Sequence, residues 1–110
     1  MHYYESEDLK RFSEVGKFRG ELMKKFFEYY NKVTGEDGAL TKREKALIAL
    51  AVAHSRQCPY CIDAYTTACL EAGADPDQMT EAIHVAAAME AGITLIHAVQ
   101  MHNVLDRYGA

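Results

Sequence analysis

Several residue types are scarce or missing in this sequence of 110 residues. It has no tryptophan, two prolines and three cysteines, and 16 aspartates and glutamates outnumber its 12 lysines and arginines. Nucleic acid is not an expected partner, because binding its phosphates requires clustered positive charge, and the sequence has no basic stripe. A chain this short also buries a modest fraction of its surface, which favours one domain over residues 1–110 with help from partner subunits.

Long hydrophobic runs are also lacking. The longest uninterrupted apolar run, residues 46–53, is far shorter than the roughly 20 residues that cross a bilayer. The N-terminal stretch MHYYESEDLKRF is acidic and polar, unlike a secretory signal. We therefore expect no membrane partner and a reducing cytoplasmic location, where a CxxC pair is more often catalytic or metal-binding than a structural staple.

Helical signals run through most of the chain. Between residues 17 and 33 apolar side chains recur every three or four positions, and Gly35 is expected to end that helix. Thr41 and Glu44 have the spacing of a capping box, which predicts a helix start near Lys42. The body of that helix, ALIALAVAH, is apolar on all sides, so we expect it to be central in the fold or enclosed between subunits.

The second half of the chain repeats these signals. Pro59 suits a first helical position, so a helix is expected to begin at the cysteine pair and to end near Gly73. Asp75 begins another helix, which we expect to end near Ala91. The last helix is expected from about Ile93 to Tyr108 and Gly109, with three residues facing inward: Ile96, Val99 and Val104. With no strand signal, the sequence predicts a single all-α domain of five to six helices.

The stretch RQCPYCIDAYT places Cys58 and Cys61 three positions apart at a helix start. Unpaired amides and the helix dipole stabilise a thiolate at such a position. The spacing puts both thiols on one face, where they can form a disulfide reversibly. The absence of strands disfavours a thioredoxin-type domain. A redox site, a metal site and two small buried side chains remain open interpretations.

A longer stretch, LTKREKALIALAVAHSRQCPYCIDAYTTACLEAGAD, resembles the core of the carboxymuconolactone decarboxylase and alkylhydroperoxidase D superfamily. This resemblance covers about residues 40–90. The full chain, including HYYESEDLKRFSEVGKFRGELMKKFFEYY and MTEAIHVAAAMEAG, also resembles a narrower group of peroxidase-like proteins associated with arsenosugar biosynthesis. The resemblance to the superfamily implies a homo-oligomer, a trimer or a hexamer, that reduces a small hydroperoxide or disulfide substrate through a cysteine disulfide cycle. A cellular dithiol would restore the thiols, and no cofactor is implied.

The resemblance also implies roles for single residues. It makes Cys61 the peroxidatic nucleophile and Cys58 the more exposed resolving thiol. Related proteins with a proton relay carry a glutamate 12 positions before the first cysteine and a histidine four after the second, where this chain has Ala46 and Tyr65. His54, four positions before Cys58, is the candidate base in their place, and the Tyr65 hydroxyl is a candidate hydrogen-bond donor.

Two other functions are compatible with the sequence. Cys58 and Cys61, with Cys69 or His54, could hold zinc or trivalent arsenic, although one CxxC lacks the second ligand pair of a zinc ribbon. Cys69 lies too far along the same helix to share one ion with the pair, unless another subunit supplies a ligand. A lactone decarboxylase-like enzyme or a structural oligomer would not need the cysteines. The histidines of two apolar stretches, His84 and His97, are expected to be structural.

Overall fold

The computed structural model describes residues 5–110, and these residues form helices without any strand. A 3₁₀ helix, Ser6–Lys17, comes first. Five α-helices follow: α1 Gly20–Thr34, α2 Lys42–Ser55, α3 Pro59–Glu71, α4 Pro76–Ile96 and α5 Ala98–Arg107. The predicted all-α class is therefore confirmed.

Helix α2 occupies the centre of the fold and packs against both α3 and α4. The apolar residues on all sides of α2 predict this central position. The buried side chains come from α2, α3 and the loop after α3, and they are Ala46, Leu50, Ala53, Cys69 and Ala74. The opposite face of α2 is open, with Ile48 and Val52 about half exposed. This small core fixes α3, and with it the cysteine pair, relative to α2.

The predicted capping box of α2 is present, and α4 begins with a second one. The Glu44 amide donates to Thr41 Oγ1 at 3.1 Å, and the Thr41 amide donates to Glu44 Oε1 at 2.9 Å. The Gln78 amide donates to Asp75 Oδ1 at 2.8 Å, and the Asp75 amide donates to Gln78 Oε1 at 3.1 Å. Gly73, after the end of α3, has φ +88°, a left-handed conformation that glycine adopts readily. These local signals therefore set the starts of α2 and α4 and the end of α3.

The predicted boundary between the last two helices is wrong. Helix α4 continues through Gly92 to Ile96, and α5 begins at Ala98. A single glycine inside a helix costs about 1 kcal/mol relative to alanine, which is too little to end a helix that continues on both sides.

The prediction that the last helix faces inward is also wrong. Ile96, Val99 and Val104 are 65%, 52% and 44% exposed. Helix α5 packs mainly against α4, and the chain is elongated, measuring 59 × 36 × 34 Å. Its radius of gyration is 18.9 Å, against about 13 Å for a compact domain of this size. The apolar face of the last two helices therefore has no cover among residues 5–110.

The segment Pro76–Arg107 is long and apolar enough to cross a membrane by length and composition. Its best 18-residue window has a mean hydropathy of 1.5, and 6% of that window is buried. The length of uninterrupted apolar runs does not reveal this segment, because polar residues such as Glu90 interrupt them, so the expectation that no segment is long enough to span a membrane is wrong. The absence of a membrane partner stays a prediction.

The 3₁₀ helix at the start of the described chain had no counterpart in the sequence signals. Its 12 residues exceed the three or four usual for this conformation. The Phe12 ring packs against Phe26 and Phe27 of α1, with centroid distances of 6.3 and 5.3 Å. The segment also contacts α3. It therefore forms one wall of the region in front of the cysteines.

Candidate active site

The turn between α2 and α3 places the cysteine pair. Gln57 adopts a left-handed conformation, with φ 51°, and the Cys58 amide donates to the Ala53 carbonyl at 3.0 Å. Cys58 is the N-cap of α3, and Pro59 occupies its first turn. The predicted helix start at the CxxC motif is therefore confirmed.

Cys58 and Cys61 are joined as a disulfide, with Cα atoms 5.2 Å apart. The Cys61 amide donates to Cys58 Sγ at 3.3 Å. After reduction, a hydrogen bond of this kind stabilises a Cys58 thiolate together with the helix dipole. Both residues are half-buried, so their burial does not identify the more exposed one. Their separate roles stay predictions.

The disulfide borders a cavity of about 520 Å³ between the 3₁₀ helix, α1 and α3. Most of its lining is apolar or aromatic: Leu9, Phe12, Val15, Phe26, Tyr30, Tyr60, Ala64 and Tyr65. Asp8 and Arg11 of the 3₁₀ helix add two charges, and the Arg11 guanidinium is 3.7 Å from the Asp8 carboxylate and 2.7 Å from that of Glu14. The cavity suits a small molecule with an apolar part.

Two tyrosines meet beside the disulfide. The hydroxyl groups of Tyr30, from α1, and Tyr65, from α3, are hydrogen-bonded to each other. The Tyr30 ring packs against Phe26 and Phe27, at centroid distances of 5.6 and 6.3 Å. Burial raises the pKa of Tyr30 above its usual value, so its phenol stays protonated at neutral pH.

Sequence reasoning missed Tyr30, because it counted this residue among the apolar positions of α1. The sequence does hold one signal for Tyr30. A phenylalanine would pack equally well on this face of α1, so the hydroxyl of a tyrosine there suggests a hydrogen-bond partner. Only the tertiary arrangement pairs it with Tyr65, 35 residues further along the chain.

A second cavity, of about 280 Å³, lies between α1, α2 and α3. Ala46 and Tyr65, the two positions where the resemblance expects glutamate and histidine, both line it. Its polar lining includes Thr34, Lys42, Lys45 and Glu71. The two positions of the proton relay therefore lie at the same cavity in this fold. Tyr65 occupies the histidine position, and the buried Ala46 occupies the glutamate position.

The structure places His54 apart from the cavity at the disulfide. Its Nδ1 is 2.9 Å from the Leu50 carbonyl oxygen, a contact one turn back along α2. His54 lines a different cavity, with Pro59, Ile62 and Asp63, on the face of α3 opposite the one that carries Cys61. This placement favours a structural role for His54, in which its ring binds a carbonyl near the end of α2. Its role as a base stays a prediction.

The remaining candidates are not among the residues that line the cavity at the disulfide. Cys69 is buried in the core, and burial raises the pKa of its thiol. His84 and His97 are exposed, and His97 Nδ1 lies 2.6 Å from the Ile93 carbonyl oxygen. Among residues 5–110, no three histidine, cysteine or acidic side chains are grouped so as to hold a metal ion.

Two comparisons with known proteins bear on the whole chain. Residues 20–102 match the model of the carboxymuconolactone decarboxylase family. A Paracoccus denitrificans protein described as "Uncharacterized protein 4 in cox locus" is 50% identical over 76 residues, which are 69% of this chain and 68% of that protein. The family match extends from α1 into α5 and includes both cysteines of the pair and both tyrosines.

Proposed function

This chain belongs to the carboxymuconolactone decarboxylase family, and we propose that it acts as a thiol-dependent, peroxidase-like oxidoreductase. The family includes both decarboxylases and alkylhydroperoxidases. The observation that carries the proposal is the Cys58–Cys61 disulfide at the start of α3, bordering an apolar cavity. A decarboxylase has no need of such a pair.

The proposed cycle uses both thiols. The Cys61 thiolate attacks the terminal oxygen of a hydroperoxide, an S–O bond forms, and the O–O bond breaks to release an alcohol after protonation. The Cys58 thiolate then attacks the sulfur of the Cys61 sulfenic acid, so that the S–S bond forms and the S–O bond breaks, and the departing hydroxide takes a proton to become water. Two thiols are oxidised and one peroxide is reduced. A cellular dithiol returns the pair to the thiol form by thiol–disulfide exchange.

Two features support this chemistry without the glutamate and histidine relay. The Cys61 amide and the helix dipole favour the thiolate form of Cys58, the resolving thiol. The cavity offers an apolar lining to an organic hydroperoxide. We place the enzyme in the cytoplasm as a homo-oligomer, and both statements are part of the proposal.

The test begins with fully reduced, metal-free protein and one equivalent of an organic hydroperoxide in a stopped-flow instrument. Peptide mass spectrometry then identifies the linked cysteines. We expect a Cys58–Cys61 disulfide to form much faster than free cysteine is oxidised under the same conditions. Oxidation no faster than that of free cysteine would contradict the proposal and leave disulfide exchange or binding of a thiophilic ion as the function of the pair.

A variant with serine at both positions separates the thiol chemistry from the decarboxylase alternative. We expect the Cys58→Ser/Cys61→Ser protein to keep its helical content and to lose all peroxide turnover. Lactone decarboxylation that persists in this variant would assign the chain to the other branch of the family.

A further inference from the structure

We propose that the Tyr30–Tyr65 pair supplies protons to the peroxide during its reduction, with Tyr65 as the donor and Tyr30 as the residue that positions and reprotonates it. This inference rests on the proposed peroxidase function. It gives the hydrogen bond between the two hydroxyl groups a role in proton transfer. Tyr65 occupies the position where the resemblance expects histidine.

Peroxide reduction by two thiolates consumes two protons, since one hydroperoxide becomes one alcohol and one water. The apolar lining of the cavity at the disulfide offers few groups that donate a proton. The charged residues of that lining, Asp8 and Arg11, lie on the 3₁₀ helix and are directed toward each other, 3.7 Å apart. Three tyrosines, Tyr30, Tyr60 and Tyr65, are the neutral donors in the lining. Of these, Tyr30 of α1 and Tyr65 of α3 are hydrogen-bonded to each other through their hydroxyl groups.

The position of Tyr65 suits delivery to Cys61. It follows Cys61 by four residues on α3, and side chains on a helix lean toward the N-terminus, so its ring covers the turn that carries Cys61. Both residues line the same cavity. The Tyr30 hydroxyl, on α1, is hydrogen-bonded to the Tyr65 hydroxyl and fixes its position. The rings of Phe26 and Phe27 pack against the Tyr30 ring.

The two tyrosines also separate the two cavities. Tyr30, Tyr65 and Ala64 line both the apolar cavity at the disulfide and the smaller one between α1, α2 and α3. The smaller cavity reaches solvent at the exposed side chains of Lys42 and Glu71. A proton from water in that cavity can therefore pass through Tyr30 to Tyr65 and reach the peroxide.

A phenol suits this step as an acid. With a pKa near 10, a tyrosine is almost fully protonated at neutral pH, and an alkoxide is a much stronger base than a phenolate. When the Cys61 thiolate attacks the terminal oxygen, the S–O bond forms, the O–O bond breaks and the departing alkoxide takes the Tyr65 proton. The Tyr65 phenolate takes the Tyr30 proton, and Tyr30 takes one from water.

The experiment compares two oxidants that differ in leaving group. tert-Butyl hydroperoxide releases a strongly basic alkoxide, whereas peroxybenzoic acid releases a carboxylate that needs no proton. General acid catalysis typically contributes about 10²–10⁴-fold, so we expect Tyr65→Phe to slow the oxidation of reduced protein by tert-butyl hydroperoxide about 100-fold. Peroxybenzoic acid should react with this variant at nearly the wild-type rate.

Tyr30→Phe tests the positioning role. We expect it to show the same selectivity between the two oxidants with a smaller loss, and the double variant to lose no more than Tyr65→Phe alone. Tyr29→Phe is the matched control, because Tyr29 is the neighbouring tyrosine on α1, is 71% exposed and lines neither cavity. The rate of alkylation by iodoacetamide should be unchanged in all four variants, since the thiols themselves are intact.

The outcomes separate the two proposals. A wild-type protein no faster than free cysteine with either oxidant overturns the proposed function and this inference with it. A reactive wild type whose tyrosine variants lose equal factors with both oxidants, or lose nothing, overturns the inference alone. A loss confined to tert-butyl hydroperoxide supports it, because misfolding or a blocked cavity would slow both oxidants.

Discussion

At the scale of single residues, the two cysteines of the pair differ in their local environment. Cys58 is the N-cap of α3, and its sulfur accepts the Cys61 amide hydrogen. Cys61 lies in the first turn, one turn before Tyr65. A thiolate is thus better stabilised at Cys58, whereas proton delivery is better placed for Cys61. The assignment of Cys61 as nucleophile depends on which of these effects is larger.

Single serine variants decide between the two thiols. In Cys58→Ser we expect peroxide to form a sulfenic acid on Cys61 at close to the wild-type rate, trapped by dimedone, because only the resolving step is lost. Cys61→Ser should fall to the rate of an ordinary thiol. Cys69→Ser is the control and should leave disulfide formation intact, since Cys69 is buried in the core. Rapid sulfenic acid formation in Cys61→Ser would transfer the nucleophile's role to Cys58.

The sequence predicts those candidate site residues that carry their own local signal. The CxxC spacing and the following proline mark Cys58 and Cys61, and Tyr65 was found from its position relative to them. Tyr30 and the cavity wall formed by Phe12 depend on contacts between segments far apart in the chain, which periodicity does not report. His54 lines a cavity other than the one at the disulfide, and the turn that leads from it to Cys58 has Gln57 in a left-handed conformation, for which glutamine has no sequence preference.

At the scale of helices, local capping chemistry made most boundaries predictable. The starts of α2, α3 and α4 each have a side chain that accepts an amide hydrogen, and these starts agree with the sequence signals. The long 3₁₀ helix lacks a side-chain cap and is held through aromatic contacts with α1. Its conformation therefore follows from packing that local sequence patterns do not encode.

The capping box of α2 should make stability depend on pH. Hydrogen bonds from the Thr41 backbone and side chain lower the pKa of Glu44 below its usual 4.5. A carboxylate with a lowered pKa in the folded state contributes stability above pH 4.5, and that contribution is lost as the pH falls through the folded value. We expect Glu44→Gln to lose stability relative to wild type at pH 7 and to approach it at pH 3.

Denaturant unfolding at a series of pH values measures this difference. Glu81→Gln, an exposed glutamate on α4, is the matched control and should show no such convergence. Thr41→Ala removes the other half of the box and should cost about 1 kcal/mol at neutral pH. A constant gap between Glu44→Gln and wild type from pH 7 to pH 3 would contradict the assigned role of Glu44.

At the scale of the whole molecule, the elongated shape and the small core require cover for the last two helices. Their exposed apolar residues include Val85, Met89, Ile93, Leu95, Ile96 and Val99. Burying one leucine or isoleucine side chain stabilises a protein by about 1.5–3 kcal/mol, so a face of this size has a strong tendency to associate. Other copies of the chain are the cover we predict, in keeping with the marginal core of a single copy.

The oligomer can be tested by sedimentation velocity on wild type and on Leu95→Glu/Val99→Glu, which places two charges on this face. We expect the wild type to sediment as a trimer or a hexamer and the variant to dissociate, since burying unpaired carboxylates opposes association. Leu22→Glu, at an exposed position on α1, is the control and should leave the assembly intact. A wild type that is monomeric in water and floats with lipid vesicles would instead assign the segment Pro76–Arg107 to a membrane.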